Sequence, residues 1–204
     1  MLTNEEIAHF KTFGFIFIKR AFSDEEIATV TLAAEKIWSE DAQPARESGN
    51  RYLKYFVERD PVLTARLLDD RNLKRIEAFL GPDFIWVGSE GNVSVTERTE
   101  WHPDRKHYCK GEEHWIDYPR LKIMIYLEEV KADTGCLRVI PGSHKSPFHK
   151  DLGAQESAPG TEPFGVPGDK LPAYPVESGI NCLFPYEVNS YLLHFSDLSI
   201  AEQG

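Results

Sequence analysis

The hydrophobic pattern of the chain changes its period near residue 83, and this change constrains the fold more than any other feature. Before it, Thr3–Glu6 and Ser23–Glu26 each have the form of a capping box, in which a Ser or Thr and a Glu three residues later close the first turn of a helix. Apolar residues then recur at helical spacing. The sequence therefore predicts two capped helices near the N-terminus, with Phe15–Ile18 as a short strand between them.

Two more helices are predicted before the change, over Pro61–Leu68 and Asn72–Leu80, the second ending at a Gly-Pro pair. After it, short β-branched and aromatic runs alternate with Gly, Pro and charged turns, which is the pattern of strands. These runs are Phe84–Val87, Val93–Val95, Leu121–Leu127 and Leu137–Ile140. Helices followed by strands, without regular alternation, indicate an α+β, mainly β fold whose antiparallel sheet closes on itself.

A chain of 204 residues is long enough to bury one core. We therefore expect a single domain over 1–204, with a helical part at about 1–82 and a sheet part at about 83–204. The segment 151–178 is rich in Gly, Pro, Ala and Glu, which predicts a long loop that acts as a lid or is a mobile segment.

Charge and cysteine content exclude several classes of partner. The formal net charge of -10 repels phosphate backbones and anionic lipid surfaces, so neither nucleic acid nor a membrane is expected. The three cysteines include no Cys-x-x-Cys pair, so the sequence predicts neither a disulfide framework nor a zinc knuckle. No apolar run approaches the ~20 residues of a membrane span. A protein of the reducing cytoplasm is the expectation.

His102 and Asp104 are the first candidates for chemistry, because residues two apart in an extended chain point to one side and can converge on one ion. One more histidine would complete a face of two imidazoles and one carboxylate, which leaves other positions of an octahedral Fe(II) open. The spacing alone is more typical of a hydrogen-bonded surface pair.

Downstream of this pair, Leu121–Leu127 is followed by Asp133-Thr134-Gly135-Cys136-Leu137 and by Pro141-Gly142-Ser143-His144. This order of motifs resembles the phytanoyl-CoA dioxygenase family. In that family, a strand, an Asn/Thr-Gly-Cys/Pro-Leu turn and a Pro-Gly-Ser/Thr-His motif follow the metal-binding His-x-Asp. The opening Leu2–Val30 also resembles the start of the family. The resemblance implies a double-stranded β-helix, or jelly roll, with the N-terminal helices packed outside.

The resemblance also implies a set of site residues. His102 and Asp104 match the family's iron ligands, and His194 with Ser196 resembles its distal His-x-Ser. Ser196 would then hydrogen-bond the distal carboxylate of 2-oxoglutarate. A plain apolar core strand with a buried histidine is the alternative for Tyr191–Phe195. His144 lies in the turn that the family uses structurally.

Two other segments supply further candidates. Arg105–Tyr118 resembles a mobile flap, from which Arg105 and His107 are possible substrate contacts, with a solvated loop as the alternative. Alternation along Leu121–Leu127 puts Lys122 and Tyr126 on one mixed face and only apolar residues on the other. If the apolar face packs against the helices, the mixed face lines the barrel and Tyr126 contacts the co-substrate or simply packs there.

The sequence departs from the family near its end. The family opens the strand before the distal His with Gly-Asp, where this chain has Gly179-Ile180, and it places an Arg about ten residues after that His. No Lys or Arg follows Lys170, so we expect that Lys122 or Arg138 replaces the Arg, or that the domain is shortened at its C-terminus.

The predicted function is an Fe(II)/2-oxoglutarate-dependent dioxygenase that uses dioxygen to hydroxylate a C–H bond of a small organic substrate. The alternative is a catalytically silent jelly-roll domain that has lost co-substrate binding and serves as a binding module. A cupin-like metalloenzyme without 2-oxoglutarate is a third interpretation, which the Pro-Gly-Ser-His motif disfavours.

Overall fold

A computed structural model describes residues 1–42, 49–93, 120–131 and 136–145, together with short strands at 102–103, 174–175, 183–187 and 191–194. The helices are α1 Asn4–Phe13, α2 Asp24–Glu40, α3 Pro61–Leu67 and α4 Asp70–Leu80, with a 3-10 turn at Val57–Arg59. The strands are β1 Arg51–Lys54, β2 Glu90–Val93, β3 His102–Pro103, β4 Leu121–Ile125, β5 Leu137–Val139, β6 Tyr174–Pro175, β7 Leu183–Glu187 and β8 Tyr191–His194.

Both predicted capping boxes are present. The Thr3 hydroxyl accepts from the Glu6 backbone N–H at 3.2 Å, and the Glu6 carboxylate accepts from the Thr3 backbone N–H at 2.7 Å. Ser23 and Glu26 make the same reciprocal pair at the start of α2. These contacts satisfy backbone donors that a helix leaves open at its first turn, so the predicted starts of α1 and α2 are confirmed.

The other two predicted helices are also confirmed, with slightly different bounds. Asp60 caps α3 by accepting from the Val62 backbone N–H, and Asp69 caps α4 by accepting from that of Asn72. Aspartate is a favoured N-cap because its carboxylate reaches these open donors. The cap at Asp69 explains why α4 begins at Asp70, two residues before the predicted start.

The strands form three antiparallel sheets: β1–β2, β4–β7, and a four-stranded sheet in the order β3–β8–β5–β6. The antiparallel arrangement and the mixture of helices with strands agree with the predicted class. Within the described residues the sheets do not close into a barrel.

The two faces of β4 have different neighbours. Leu121, Ile123 and Ile125 pack against the helical core. Met124 and Tyr126 pack on the other side, against a small cluster formed by Phe15, Leu137 and Val139. The apolar face of this strand therefore meets the helices, which is the condition under which the mixed face was expected to line the interior. β4 lies between the helical layer and the four-stranded sheet.

The predicted strand at Phe84–Val87 is wrong. The pairing of β1 with β2 begins at Lys54 opposite Glu90, and beyond it the described chain makes a single further backbone contact, from the Tyr55 N–H to the Ser89 carbonyl at 2.7 Å, as Tyr55 adopts a positive φ of 54°. The Trp86 ring N–H instead donates to the Glu58 carboxylate at 2.6 Å. β-Propensity predicted a strand here, but without a partner the run stays outside a sheet.

Other differences concern short strands. Phe15–Ile18 forms only isolated bridges at its two ends. β1 lies inside the predicted helical part, and β6 lies inside the predicted loop at 151–178. Of the predicted run Val93–Val95, Val93 ends β2 and the rest lies outside the described residues. In the described part of the chain, no helix is long and apolar enough to cross a membrane.

Candidate metal centre

Strand pairing brings the backbone positions of His102 and His194 close together. His102 on β3 pairs with Leu192 on β8, and His194 lies two residues further along β8. Residues two apart on a strand share a face, so His102 and His194 occupy diagonal positions on one face of the sheet. Diagonal neighbours on antiparallel strands are about 7–8 Å apart at Cα. The spacing is suitable for two ligands of one ion.

This shared face is the one that packs against β4. Leu137 pairs with His194, and Val139 pairs with Leu192, so both residues lie on the same face as the two histidine positions. Leu137 and Val139 are completely buried and pack with Met124 and Tyr126. In the backbone register, residues 102 and 194 therefore share their face of this sheet with the buried Leu137 and Val139.

The remaining sequence-predicted residues divide into two groups. Asp104, Arg105, His107 and Ser196 lie outside the described residues, as do the side chains of His102 and His194. Tyr126 and Lys122 are described with their side chains. Among the side chains that the structure describes, no group of three His, Cys, Asp or Glu residues could hold a metal ion.

Tyr126 is held beside the histidine position on β8. Its hydroxyl oxygen accepts a hydrogen bond from the Leu137 backbone N–H at 3.1 Å, and Leu137 is the pairing partner of His194. Burial raises the pKa of the Tyr126 phenol, and nearby Cys136 raises it further against the effect of the Leu137 hydrogen bond. The phenol therefore stays neutral and keeps a proton to donate.

Lys122 belongs to a polar cluster on the same face of β4 as Tyr126. Its ammonium lies 3.2 Å from the Glu90 carboxylate, and the other oxygen of Glu90 accepts from the Tyr52 hydroxyl at 2.7 Å. We call Tyr52, Glu90 and Lys122 the polar triad. Sequence reasoning found Lys122 but missed Tyr52 and Glu90, because their strands could be recognised only from their mutual pairing.

The residues of the polar triad belong to the β1–β2 and β4–β7 sheets, and all three face away from the helices. Leu53, the neighbour of Tyr52, is buried in the helical core. A Cβ added at Gly91, the neighbour of Glu90, would overlap the Phe56 ring in that core. Because neighbouring residues on a strand point to opposite faces, Tyr52 and Glu90 face away from the helices, as Lys122 does.

Arg138 was predicted as an inward cation, and this prediction is wrong. It lies between Leu137 and Val139 on β5 and pairs with Leu193 and Pro175. Leu137 and Val139 occupy the interior face, so alternation puts Arg138 on the opposite face.

The Pro141–Lys145 turn makes a structural contact through Gly142. Gly142 has a positive φ of 78°, a conformation that suits glycine. Its backbone N–H donates to the Phe13 carbonyl at 2.8 Å, and Ser143 beside it is completely buried. The turn that contains His144 therefore docks against the end of α1.

Comparison with known proteins identifies a family for most of the chain. Residues 10–163 match the family model described as phytanoyl-CoA dioxygenase (PhyH). No curated protein sequence matches the chain significantly.

Solved structures resemble the whole chain in fold. HygX from Streptomyces hygroscopicus, with nickel and 2-oxoglutarate bound, superposes with a TM-score of 0.78 at 19% identity, covering 97% of this chain and 82% of HygX. The non-heme alpha ketoglutarate dependent carbocyclase SnoK from nogalamycin biosynthesis gives 0.74 at 16% identity, with 97% and 80% covered. EctD from S. alaskensis, with 2-oxoglutarate and 5-hydroxyectoine, gives 0.73 at 18% identity, with 97% and 71% covered.

Identities this low support a shared fold and no more, whereas the family model covers well over half of the sequence. Its match includes β3, β4, β5 and the Pro-Gly-Ser-His turn, and it ends before β6, β7 and β8. The chain belongs to the phytanoyl-CoA dioxygenase family.

Proposed function

We propose that the protein is an Fe(II)/2-oxoglutarate-dependent dioxygenase that hydroxylates a C–H bond of a small organic substrate. The observation that carries this proposal is the pairing of β3, β8 and β5, in whose register residues 102 and 194 are diagonal neighbours on the face that they share with Leu137 and Val139. Membership of the family supports the same activity. Two facing layers of antiparallel strands are also what a jelly roll requires.

The donor set fits iron. His102, Asp104 and His194 would supply two imidazoles and one carboxylate, the set that non-haem Fe(II) oxygenases use, and the remaining positions stay open for a co-substrate. If β3 continues in extended form, Asp104 lies on the same side of the strand as His102. Bound iron and 2-oxoglutarate would supply the activation of dioxygen, while the chain supplies orientation and shelter from water.

The residues packed between β4 and the four-stranded sheet are suited to excluding water. Leu137 and Val139 are completely buried, and Phe15 and Met124 complete an apolar wall next to them. Electrostatic interactions and hydrogen bonds are stronger in such a dry environment than in water.

Tyr126 and Ser196 are the proposed contacts for the co-substrate. The neutral phenol of Tyr126 is fixed by the Leu137 N–H, so its own proton is directed elsewhere and can be donated to a carboxylate. Lys122 is the third candidate, but it shares its ammonium with Glu90. A co-substrate carboxylate at Lys122 would therefore meet a charge that is already paired. Arg105 and His107 remain proposed substrate contacts.

The ion pair between Lys122 and Glu90 also favours a second candidate function, a silent domain that binds a metal without the co-substrate. A carboxylate held in a partly buried site without its own cation has a considerable desolvation cost. The two functions differ in one measurable property, which is the formation of a ternary complex with iron and 2-oxoglutarate.

The test is anaerobic addition of Fe(II) and then 2-oxoglutarate, followed by visible absorption. The dioxygenase predicts the weak metal-to-ligand band of chelated 2-oxoglutarate, and Asp104→Ala should abolish the band without unfolding the protein. Iron binding without the band would contradict the dioxygenase and leave the silent domain.

A further inference from the structure

We propose that the exposed face of α2 is an interface through which two copies of this chain form a weak, antiparallel dimer. Leu32 of each copy enters a groove between α2 and α3 of the other copy, and Glu25 pairs with the partner's Lys36. The occupant of the groove is a second copy because the two halves of this contact complement each other. The inference goes beyond the proposed function and does not depend on it.

Leu32 is an apolar residue on the solvent side of α2. Its side chain is 68% exposed. The next two residues, Ala33 and Ala34, are buried in the helical core, so the helix cannot turn Leu32 inward without losing their contacts. Single exposed apolar residues are common on monomers, so Leu32 indicates an interface only together with a complementary surface.

That complementary surface is a groove of about 420 Å³ between α2 and α3. It is lined by Thr29 of α2 and by Pro61, Val62, Ala65 and Arg66 of α3. The Thr29 hydroxyl already donates to the Glu25 backbone carbonyl at 2.8 Å, so the α2 side of the groove requires no further polar partner. The lining is mostly apolar, and the groove is large enough to accept a leucine side chain.

Charged residues lie on α2 on either side of Thr29 and Leu32. In the described part of the chain, the Glu25 carboxylate has no ion-pair partner. The Lys36 ammonium lies 3.9 Å from the Asp60 carboxylate, which is beyond hydrogen-bond distance, and the Lys36 side chain is 62% exposed. One acid and one loosely held base are therefore available to a partner.

The spacing of these four residues specifies a second copy. When a twofold axis relates two antiparallel helices, residue i lies opposite residue j, and j lies opposite i. Glu25 and Lys36 have the same midpoint as Thr29 and Leu32, between residues 30 and 31. One axis there brings Glu25 to the partner's Lys36 and Leu32 to the partner's Thr29. At about 100° per residue, the four lie within an arc of about 60°, so one contact face contains all of them.

The charges also determine how strong this dimer should be. Each dimer gains two pairs of Glu25 with Lys36, which act against the general repulsion between two chains of net charge -10. A contact made by one helix face and one groove buries less surface than a standard interface. We therefore expect a dissociation constant on the order of 10 µM.

Sedimentation velocity of the full chain across a dilution series tests the interface. We expect a monomer–dimer equilibrium. Leu32→Ala should weaken the dimer at least about tenfold, since it removes an apolar contact from both halves, and it should leave the unfolding of the dilute monomer unchanged. A chain that stays monomeric well above the expected dissociation constant would overturn the proposal, as would a Leu32→Ala dimer as strong as wild type.

Charge reversal tests the register. Glu25→Lys and Lys36→Glu should each weaken the dimer about tenfold, because each brings like charges together at two places. The double variant should return to within about threefold of wild type, since opposite charges then face each other again. Glu77→Lys is the matched control, because Glu77 is an exposed residue of α4 and the net charge changes by the same amount. It should change the dissociation constant less than about twofold.

A purely local role of the two charges within one chain predicts a different result. Both single reversals would then lower helix content or stability, and the double variant would not recover the dimer. That outcome, or a dimer unaffected by either reversal, contradicts the proposal. If a reversal disturbs the start of α2, Glu25→Gln and Lys36→Gln replace it. Each should weaken the dimer about threefold, and unchanged dimers in both would equally reject the register.

Discussion

The two faces of β4 differ in role. One packs against the helices and stabilises the fold, and the other borders the proposed site. Leu121, Ile123 and Ile125 pack against the helical core, whereas Lys122 and Tyr126 face the interior and make specific polar contacts. The helix-facing side is a continuous apolar contact, in which burial supplies free energy without directional requirements. The interior side combines apolar packing with a few oriented donors, which is typical of a ligand site.

The same division runs through β1 and β2. Leu53 and Gly91 face the helices, and Tyr52 and Glu90 face away from them. Adjacent residues on one strand should therefore respond differently to substitution. Changes on the helical side should lower the free energy of unfolding, and changes on the interior side should alter ligand binding while the fold persists.

The largest expected effect is on the helical side. Leu53 is only 2% exposed, and Leu53→Ala should lower the free energy of unfolding by about 2–5 kcal/mol, since it removes buried apolar contacts and leaves a cavity. Denaturant unfolding measures the change. Leu32→Ala is the control, because Leu32 is 68% exposed and its loss should change stability by less than about 0.5 kcal/mol. Equal losses of unfolding free energy in the two variants would contradict the stabilising role of the helix-facing side.

On the interior side, His194→Ala should reduce affinity for Fe(II) by about a hundredfold, equivalent to about 2.7 kcal/mol, because one of three ligands is lost. The free energy of unfolding should fall far less than it does in Leu53→Ala. Titration of iron under anaerobic conditions measures the affinity, with His9→Ala on the exposed side of α1 as the control. Unchanged iron affinity would remove His194 from the proposed ligand set.

Gly91→Ala tests how closely β2 approaches the helical layer. The added Cβ would overlap the Phe56 ring, and relief of this overlap should cost about 1–3 kcal/mol of unfolding free energy. Gly81→Ala is not a suitable control, because Gly81 has a positive φ of 84° that itself disfavours alanine. Thermal unfolding of Gly91→Ala next to wild type is sufficient, and an unchanged midpoint would contradict the close packing.

The smallest expected effect is that of Tyr126→Phe. Loss of the phenol removes one hydrogen-bond donor, so the affinity for 2-oxoglutarate should fall about three- to tenfold, or about 1 kcal/mol. The absorption band measures this affinity as 2-oxoglutarate is added. Because the Leu137 N–H also loses its partner, unfolding must be measured in parallel. A loss of stability with unchanged affinity would make Tyr126 a packing residue.

Local signals in the sequence were sufficient for the helices. The Ser23 and Glu26 side chains close the first turn of α2 through contacts three residues apart, so nothing distant has to be known. The strand predicted at Phe84–Val87 was wrong for the opposite reason, because a strand forms only where a partner strand is present. β1 was missed for the same reason, since Arg51 pairs with Val93, far along the chain.

The faces of strands were only half predictable. Alternation correctly separated Lys122 from Ile123 on β4. It did not say which face is interior. On β4 the apolar face meets the helices, whereas on β5 the apolar face meets the interior, and this difference reverses the expected position of Arg138.

The central claim is that His102 and His194, diagonal neighbours across β3 and β8, bind one iron on the interior face. Electron spin echo spectroscopy of the Fe(II) nitrosyl adduct counts the imidazoles on that iron most directly. The account predicts couplings from two imidazoles in the wild type, and from one in both His102→Ala and His194→Ala. A single imidazole in the wild type, or two that persist in His194→Ala, would contradict it.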